Sequence, residues 1–288
     1  MFIAFAKTKG NVESLQFHSH NEYEIYVFHE GNCQYIVDDK VIQLRPGTIL
    51  LMDGRSIHKA RVLSNESEYV RSVVHFPSDF IDGSKKYFGY SEILSYFEEG
   101  DVGIRHVSKS ENLDKIVYII EDLKQLSEIE DSEEINKEIQ LGIIKLLLVI
   151  NRFSESTFSS NDIKSNIKEY YTEKIIEHMH NNFSEKLTIK NMSQEFNLSA
   201  SYMSRVFKET TGYTIMQYLM YYRFTQAKYL IEVTDNKTFT EIASDCGFPS
   251  SAHFSRFIKE QTGMTPTRFK KDIQEKSFIS PKNLKQIE

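Results

Sequence analysis

Residues 199–212 read SASYMSRVFKETTG, and residues 250–263 read SSAHFSRFIKEQTG. Offset by 51 positions, Ser204/Ser255, Arg205/Arg256, Lys208/Lys259, Glu209/Glu260, Thr211/Thr262 and Gly212/Gly263 coincide. The apolar pairs Met203/Phe254, Val206/Phe257 and Phe207/Ile258 coincide too. A unit written twice means two copies of one small fold. The apolar positions recur at three- and four-residue steps, so each copy is a helix with one buried face.

Each copy follows a shorter helix and a tight turn. In the first, Thr188 is a cap for a helix carrying Ile189, Met192 and Phe196, and Asn197 and Leu198 form the turn before the cap at Ser199. In the second, Thr238 or Thr240 opens a helix with Ile242 and Ala243. Cys246, Gly247 and Phe248 then make the turn, with Gly247 free to take positive φ, and Ser250 or Ser251 opens the next helix. Helix, short turn and second helix with a polar N-terminal face is the helix-turn-helix arrangement, whose second helix enters the DNA major groove. Residues 214–232 read as one connecting helix. At 1.5 Å per residue it is roughly 27 Å long, against about 34–36 Å for one turn of B-DNA. Two reading heads on such a spacer suit successive major grooves.

Residues 239–271, FTEIASDCGFPSSAHFSRFIKEQTGMTPTRFKK, resemble the AraC/XylS family of bacterial regulators. The family's Ile-Ala pair is Ile242 and Ala243, and its Gly-Phe turn is Gly247 and Phe248. Its Phe-Ser-Arg-x-(Phe or Ile)-Lys helix runs over residues 254–259, and its Gly-x-(Ser/Thr)-Pro close over 263–266, followed by Phe269 and Lys270. The first copy fits as well, and Arg223, Ala227 and Leu230 match the connecting helix. Pro249 departs from the pattern, which often has a Ser cap there. The resemblance implies a transcription regulator that binds promoter DNA, acts as a homodimer, answers to a small-molecule effector and contacts RNA polymerase if it activates.

The side chains expected to face the groove are Ser201, Tyr202, Ser204 and Arg205 in the first head, and Ser251, His253, Ser255 and Arg256 in the second. Arginine can hold guanine with two hydrogen bonds, and Ser and His can read base edges or hold phosphate. Arg205 and Arg256 also fit a shared scaffold or phosphate role, because two heads reading different bases should differ. Ser201 against Ala252 and Tyr202 against His253 are then the discriminating pairs. Met203, Phe207, Phe254 and Ile258 are assigned to the core.

The front of the chain has strand character. Residues 23–29, 33–37, 41–44, 48–52 and 69–76 are rich in β-branched and aromatic residues and are separated by turn-like pieces, which predicts a small barrel or sandwich. His18, His20 and Glu24, followed by Gly31, Pro46, Gly47 and His58, resemble the two motifs of the cupin barrel. In metal-binding cupins the positions of His18, His20, Glu24 and His58 are ligands. If 18, 20 and 24 share a strand, they share its face. Three readings stay open: a small-effector pocket that includes His18, His20, Glu24, Tyr26, Tyr35 and His58, with Arg61 beside it; plain packing; and a transition-metal site of His18, His20, Glu24 and His58. No cofactor is expected under the first two. His75 is expected to lie within a strand rather than in a site.

Beyond residue 110, Leu113, Ile116, Val117, Ile120 and Leu123 recur at helical spacing, and Ile139, Ile143, Leu146, Leu147 and Ile150 repeat the pattern. An acidic piece, 128–134, joins them into a helical hairpin suited to a neighbouring domain or a partner chain. Residues 154–166, Ser- and Asn-rich, read as a linker. The expected organisation is α+β and multidomain: a cupin-like sensor barrel at 1–106, a dimerisation hairpin at 107–153, a linker at 154–167, an all-α tandem helix-turn-helix domain at 168–276 and a tail at 277–288.

The net charge of −6 argues at first against nucleic acid. Residues 165–288 nevertheless carry 17 Lys+Arg and 14 Asp+Glu, against 18 and 27 in the rest, so the basic balance lies at the back. Two cysteines, Cys33 and Cys246, make no disulfide framework and fit a reducing cytoplasm. No export signal or membrane-length apolar run is evident. The leading expectation is a cytoplasmic DNA-binding regulator and no enzyme. The competing one is a metal-dependent cupin enzyme with a helical appendage.

Overall fold

A computed structural model describes residues 2–9, 16–63, 69–77, 80, 97, 102–130, 132–154, 167–234 and 236–278. The chain divides into two compact units: one holds residues 1–38 and 42–164, and the other holds residues 165–287 together with 39–41. Most of the expected linker and of the tail lies outside the described residues.

The first unit is built on strands β1 (Ile3–Lys9), β2 (Tyr23–Glu30), β3 (Cys33–Val37), β4 (Lys40–Gln43), β5 (Thr48–Met52), β6 (His58–Val62), β7 (Val70–Phe76) and β8 (Gly103–His106). They form a five-stranded sheet in the order β1-β7-β2-β5-β8 and a three-stranded sheet in the order β4-β3-β6. Of the expected barrel or sandwich, the described strands form two separate sheets and no closed ladder. The ladder does not close because no strand of the smaller sheet pairs into the larger one; inner-face side chains join them instead, as in a sandwich. Three strands were not named in the sequence reading: β1 (IAFAKTK), β6 (HKARV), which carries two cations, and β8, which has only four residues.

Period-two alternation assigns the faces. On β2, Glu24 pairs with His75 of β7 and with Met52 of β5, and Tyr26 pairs with Val73 and Leu50. Tyr26, Phe28, Leu50, Met52 and Val73 join Cys33, Tyr35 and Val37 in the core between the sheets. The intervening residues Ile25, Val27, Ile49, Leu51, Val74 and Phe76 belong to a different core on the outer face. Both faces of the large sheet are covered, which explains why β5 reads as an unbroken apolar run.

The outer cover is the helical hairpin, α1 (Ser110–Ser127) and α2 (Glu133–Phe153). Ile116, Ile119, Ile120 and Leu123 of α1 and Ile139, Ile143, Leu146, Leu147 and Ile150 of α2 pack against the sheet. Each such side chain contributes about 1.5–3 kcal/mol when fully buried. Ser132 caps α2 by accepting from the Ile135 amide. The stripe thus serves its own domain; Tyr118, Leu141 and Leu148 remain exposed on the hairpin.

The second unit is all-α: α3 (Ile167–Asn181), α4 (Ile189–Glu195), α5 (Ala200–Thr211), α6 (Ile215–Val233), α7 (Phe239–Asp245), α8 (Ser251–Thr262) and α9 (Pro266–Phe278). The boundaries follow local chemistry. Thr188, Ser199, Thr214, Thr238 and Ser250 each accept a backbone amide at a helix start, and Thr214 with Gln217 and Thr238 with Glu241 form capping boxes. Of the two serines after Pro249, Ser250 is the cap. Both long heads end on a left-handed glycine, Gly212 and Gly263.

Candidate nucleic-acid interface and histidine–glutamate cluster

The two copies of the repeat form equivalent helix pairs, α4–α5 and α7–α8. Their turns solve one geometric problem in two ways: Asn197 takes φ 52° in the first and Gly247 φ 71° in the second. Asparagine and glycine are the residues that tolerate this region. Gly247 is held closely. A side chain there would come within 2.6 Å of the Phe183 carbonyl oxygen and 2.8 Å of that of Ser184. Arg223, buried on α6, fixes the same turn: its Nε and Nη2 donate to the carbonyls of Phe183 and Glu185 at 2.7 Å each. The buried guanidinium braces the connecting helix against the turn after α3.

Met203, Val206 and Phe207 of α5 and Phe254 and Ile258 of α8 are buried as expected. The opposite faces are open. Ser201 and Arg205 are exposed and Ser204 is half-buried; Ser251 and Arg256 are exposed and Ser255 is half-buried. The arginines occupy the same place in both heads. The expected discriminating pair is less free. Tyr202 is half-buried, with the Arg205 guanidinium 5.6 Å from its ring centre and the Tyr171 ring edge-on at 6.4 Å. His253 leans on Phe248 at 6.2 Å, and its Nδ1 is buried with no hydrogen-bond partner.

In the first unit, the residues suspected of forming a site do converge, by a different route. His18, His20 and Glu24 do not share a strand. His18 lies in an isolated bridge, exchanging both backbone hydrogen bonds with His58, and only Glu24 lies in β2. Backbone hydrogen bonds tie the irregular segment 16–20 to His58 and Gly54, and this brings the His20 imidazole to Glu24. Glu24 Oε2 is 3.0 Å from His20 Nε2, 3.3 Å from His58 Nε2 and 3.2 Å from His75 Nε2. His75 does lie in a strand as expected, yet it also enters the cluster. Its signal was available in the sequence: His75 shares strand parity with the inner-facing Val73. His18 completes the group, with its ring 4.3 Å from that of His58.

Glu24 is buried, which by itself pushes its carboxyl up. The facing His75, His20 and His58 outweigh this and hold it well below the usual carboxylate range. The candidate pocket residues run on from there. The Tyr35 ring stacks with His58 at 6.2 Å and lies 4.8 Å from that of Tyr26, whose hydroxyl hydrogen-bonds Tyr69 Oη at 2.7 Å. Burial raises the phenols of Tyr26 and Tyr35 well above their ordinary range, so both stay protonated. Arg61 donates to Gln34 Oε1 at 3.0 Å. Gly54, missed in the sequence, sits against the His20 ring.

A family model described as an AraC-like ligand binding domain matches residues 9–109, and one described as a helix-turn-helix domain matches residues 192–272. The Msm operon regulatory protein of Streptococcus mutans is 26% identical over 49% of this chain and 50% of its own. The HTH-type transcriptional activator RhaR of an Enterobacter species is 22% identical over 88% of this chain and 86% of its own. The melibiose operon regulatory protein of Escherichia coli is 22% identical over 92% and 86%. The chain thus spans about half the length of the first relative and most of the other two. Among solved structures, ToxT of Vibrio cholerae aligns over 93% of this chain and 97% of its own at 16% identity, with a TM-score of 0.37, too low to carry an argument. With its two domain types in this order and a duplicated reading head, the chain belongs to the AraC family of transcription regulators.

Proposed function

We propose that the chain binds promoter DNA sequence-selectively through α5 and α8 in successive major grooves, under the control of a small effector taken up between its sheets. The observation that carries this reading is the equivalence of the two heads: same caps, same glycine ends, and Arg205 and Arg256 exposed at the same position. Ser201, Tyr202, Ser204, Arg205, Ser251, His253, Ser255 and Arg256 are the contact set. The exposed arginines supply phosphate or guanine contacts, and the serines secondary ones. α6, with 19 residues and so about 28 Å of axis, is the spacer.

The proposed organisation is a sensor at 1–106, a connector hairpin at 107–153, a linker at 154–167 and a DNA-binding domain at 168–276. Tyr118, Leu141 and Leu148, which are 69%, 65% and 47% exposed, support the hairpin as a homodimer face. The effector pocket is drawn from His18, His20, Glu24, Tyr26, Tyr35 and His58. RhaR is named a transcriptional activator, and we extend that mode, with its contact to RNA polymerase, to this chain. No described helix is long and apolar enough to cross a membrane, in keeping with action in the cytoplasm, and the reading assigns no catalysis.

The test is an electrophoretic shift of the full chain on the DNA upstream of its own gene. The expected result is a complex that survives unrelated competitor DNA and weakens steeply with salt. Binding that ignores sequence, or none, would reject the proposal.

A further inference from the structure

We infer that the sheet domain holds a divalent first-row transition-metal ion, with Glu24, His20, His58 and His75 as ligands and His18 at the exposed edge. The inference goes beyond the regulatory reading and does not depend on it.

The argument starts from protons. A backbone carbonyl only accepts, so a ring nitrogen bonded to one must carry hydrogen. His18 Nδ1 donates to the Gln16 carbonyl at 2.9 Å, His20 Nδ1 to that of Glu22 at 3.0 Å and His58 Nδ1 to that of Ser56 at 2.7 Å. In a neutral ring the other nitrogen, Nε2, is then a bare lone pair. For His20 and His58 that lone pair points at Glu24 Oε2, an acceptor in its own right. His58 is completely buried, and its Nε2 has no hydrogen-bond partner. Acceptors facing one another at this range repel unless positive charge lies between them.

Protons alone serve the site badly. One proton satisfies one contact. Charging His20, His58 and His75 together would crowd imidazolium rings whose centres lie 5.1 Å (His20–His58) and 4.5 Å (His20–His75) apart. A single divalent cation satisfies every lone pair at once. The spacing agrees: bonds of about 2.0–2.2 Å in tetrahedral or octahedral geometry put neighbouring ligand atoms roughly 2.9–3.5 Å apart, and the three Oε2–Nε2 separations are 3.0, 3.2 and 3.3 Å. The donor atoms of His18, His20 and His58, and those of His20, Glu24 and His75, lie within 4.8 Å of one another in each group. Imidazoles pinned through Nδ1 to carbonyls are oriented as outer-shell partners orient metal-binding histidines. Imidazole with one carboxylate selects ions of the Zn2+, Ni2+, Co2+ or Fe2+ type over Mg2+ or Ca2+.

His75 makes the inference testable apart from the cupin-like pattern, which does not include it. The full-length chain, stripped with a chelator and dialysed, is titrated with Co2+ and then Zn2+, with metal counted by elemental analysis. One Co2+ per chain is expected, with the visible absorption of a low-coordinate nitrogen-rich site, bleached by Zn2+. His75→Gln should weaken Co2+ by more than about 10-fold, the loss already typical of outer-shell changes. His178→Gln, a control in the other unit, should leave it unchanged. Glu24→Gln should abolish the absorption; circular dichroism of the metal-free variants checks that they fold. His75 is partly exposed, so its variant remains informative if the buried Glu24 variant does not fold. No stoichiometric Co2+, or Co2+ held equally by His75→Gln, would overturn the inference. All of these readouts are taken without DNA, so they stand apart from the outcome of the shift assay.

Discussion

Gly54 and His20 are in contact through an absent side chain: a Cβ on Gly54 would collide with Nδ1 of the His20 ring and with the carbonyl oxygen of Glu22 that this nitrogen donates to. Gly54 also has φ 74°, where a side chain is strained whatever the space. Gly54→Ala should therefore destabilise the sheet domain by about 1–3 kcal/mol from backbone strain alone, and should displace His20 from Glu24. Urea unfolding followed by tyrosine fluorescence reports the first effect, and Co2+ affinity the second. A variant with unchanged melting and metal binding would mean that the 53–55 turn can yield.

Arg223 should be far more costly to remove than its place on a helix surface suggests. It is 4% exposed, and it carries two hydrogen bonds to carbonyls. Charge-assisted bonds of this kind are worth about 1.5–3 kcal/mol each, so Arg223→Ala should cost about 3 kcal/mol or more in thermal unfolding. Arg223→Lys should recover only part, because one ammonium cannot reach both carbonyls in the planar fork geometry.

Arg205→Ala and Arg256→Ala decide between reading and anchoring. If an arginine reads guanine, its loss should cost about 1–3 kcal/mol, or roughly 5- to 150-fold, on the preferred site and relax the preference at one base pair. If it anchors phosphate, binding to all sequences should weaken alike and the salt slope should fall by about 1. Shift assays on the preferred and singly substituted sites at several salt concentrations separate the two; unchanged affinity for both variants would remove the arginines from the interface.

His180 should make the helical unit acid-sensitive. Burial pushes its imidazole down to about 3 while it stacks 3.8 Å from Tyr222 and hydrogen-bonds the Tyr218 hydroxyl at 3.0 Å. The unfolded chain, with an ordinary histidine near 6.5, binds more protons between those two values. Its stabilising contribution is therefore present above pH 6.5 and is lost as pH falls toward 3, at up to about 1.4 kcal/mol per pH unit. His180→Phe should be less stable at pH 7 and flatter between pH 7 and 5 than the parent. Equal slopes would remove His180 from the account.

Cys33 and Cys246 should be chemically silent in the folded protein. Burial raises both thiols to about 12, so almost no thiolate exists at neutral pH. A disulfide reagent should label neither in the native state and both in denaturant.

The helices from α4 to α8 were legible in the sequence because their signals are local, whereas α3 and α9 were read only as part of an all-α stretch. Caps such as Thr188 and Ser199, glycine ends and three-to-four spacing act within one or two turns of chain. The sheet domain was less so. Whether its strands close into a barrel depends on which edges meet, and nothing within a strand encodes that. The histidine cluster was half legible. His18, His20, Glu24 and His58 stood out by type and spacing. His75 is brought in by antiparallel register opposite Glu24, 51 residues away, and Gly54 by packing against a ring it does not bond. Both are consequences of tertiary placement. The hairpin's stripe was read correctly as apolar, but its destination, the outer face of its own sheet, follows from the burial of Ile25 and Val74 on that side.

The large sheet is one strand thick, and it separates the Glu24 cluster from the hairpin. Glu24 and Ile25 are neighbours in the chain, as are Val74 and His75, yet each pair looks out on opposite sides. One peptide plane is all that separates the two faces at each pair. Glu24 and His75 are paired across the ladder, and so are Ile25 and Val74, which share a core with α1 and α2, with no loop between the two pairs. A single backbone link therefore joins the histidine cluster on one face of the sheet to the core beneath the hairpin on the other.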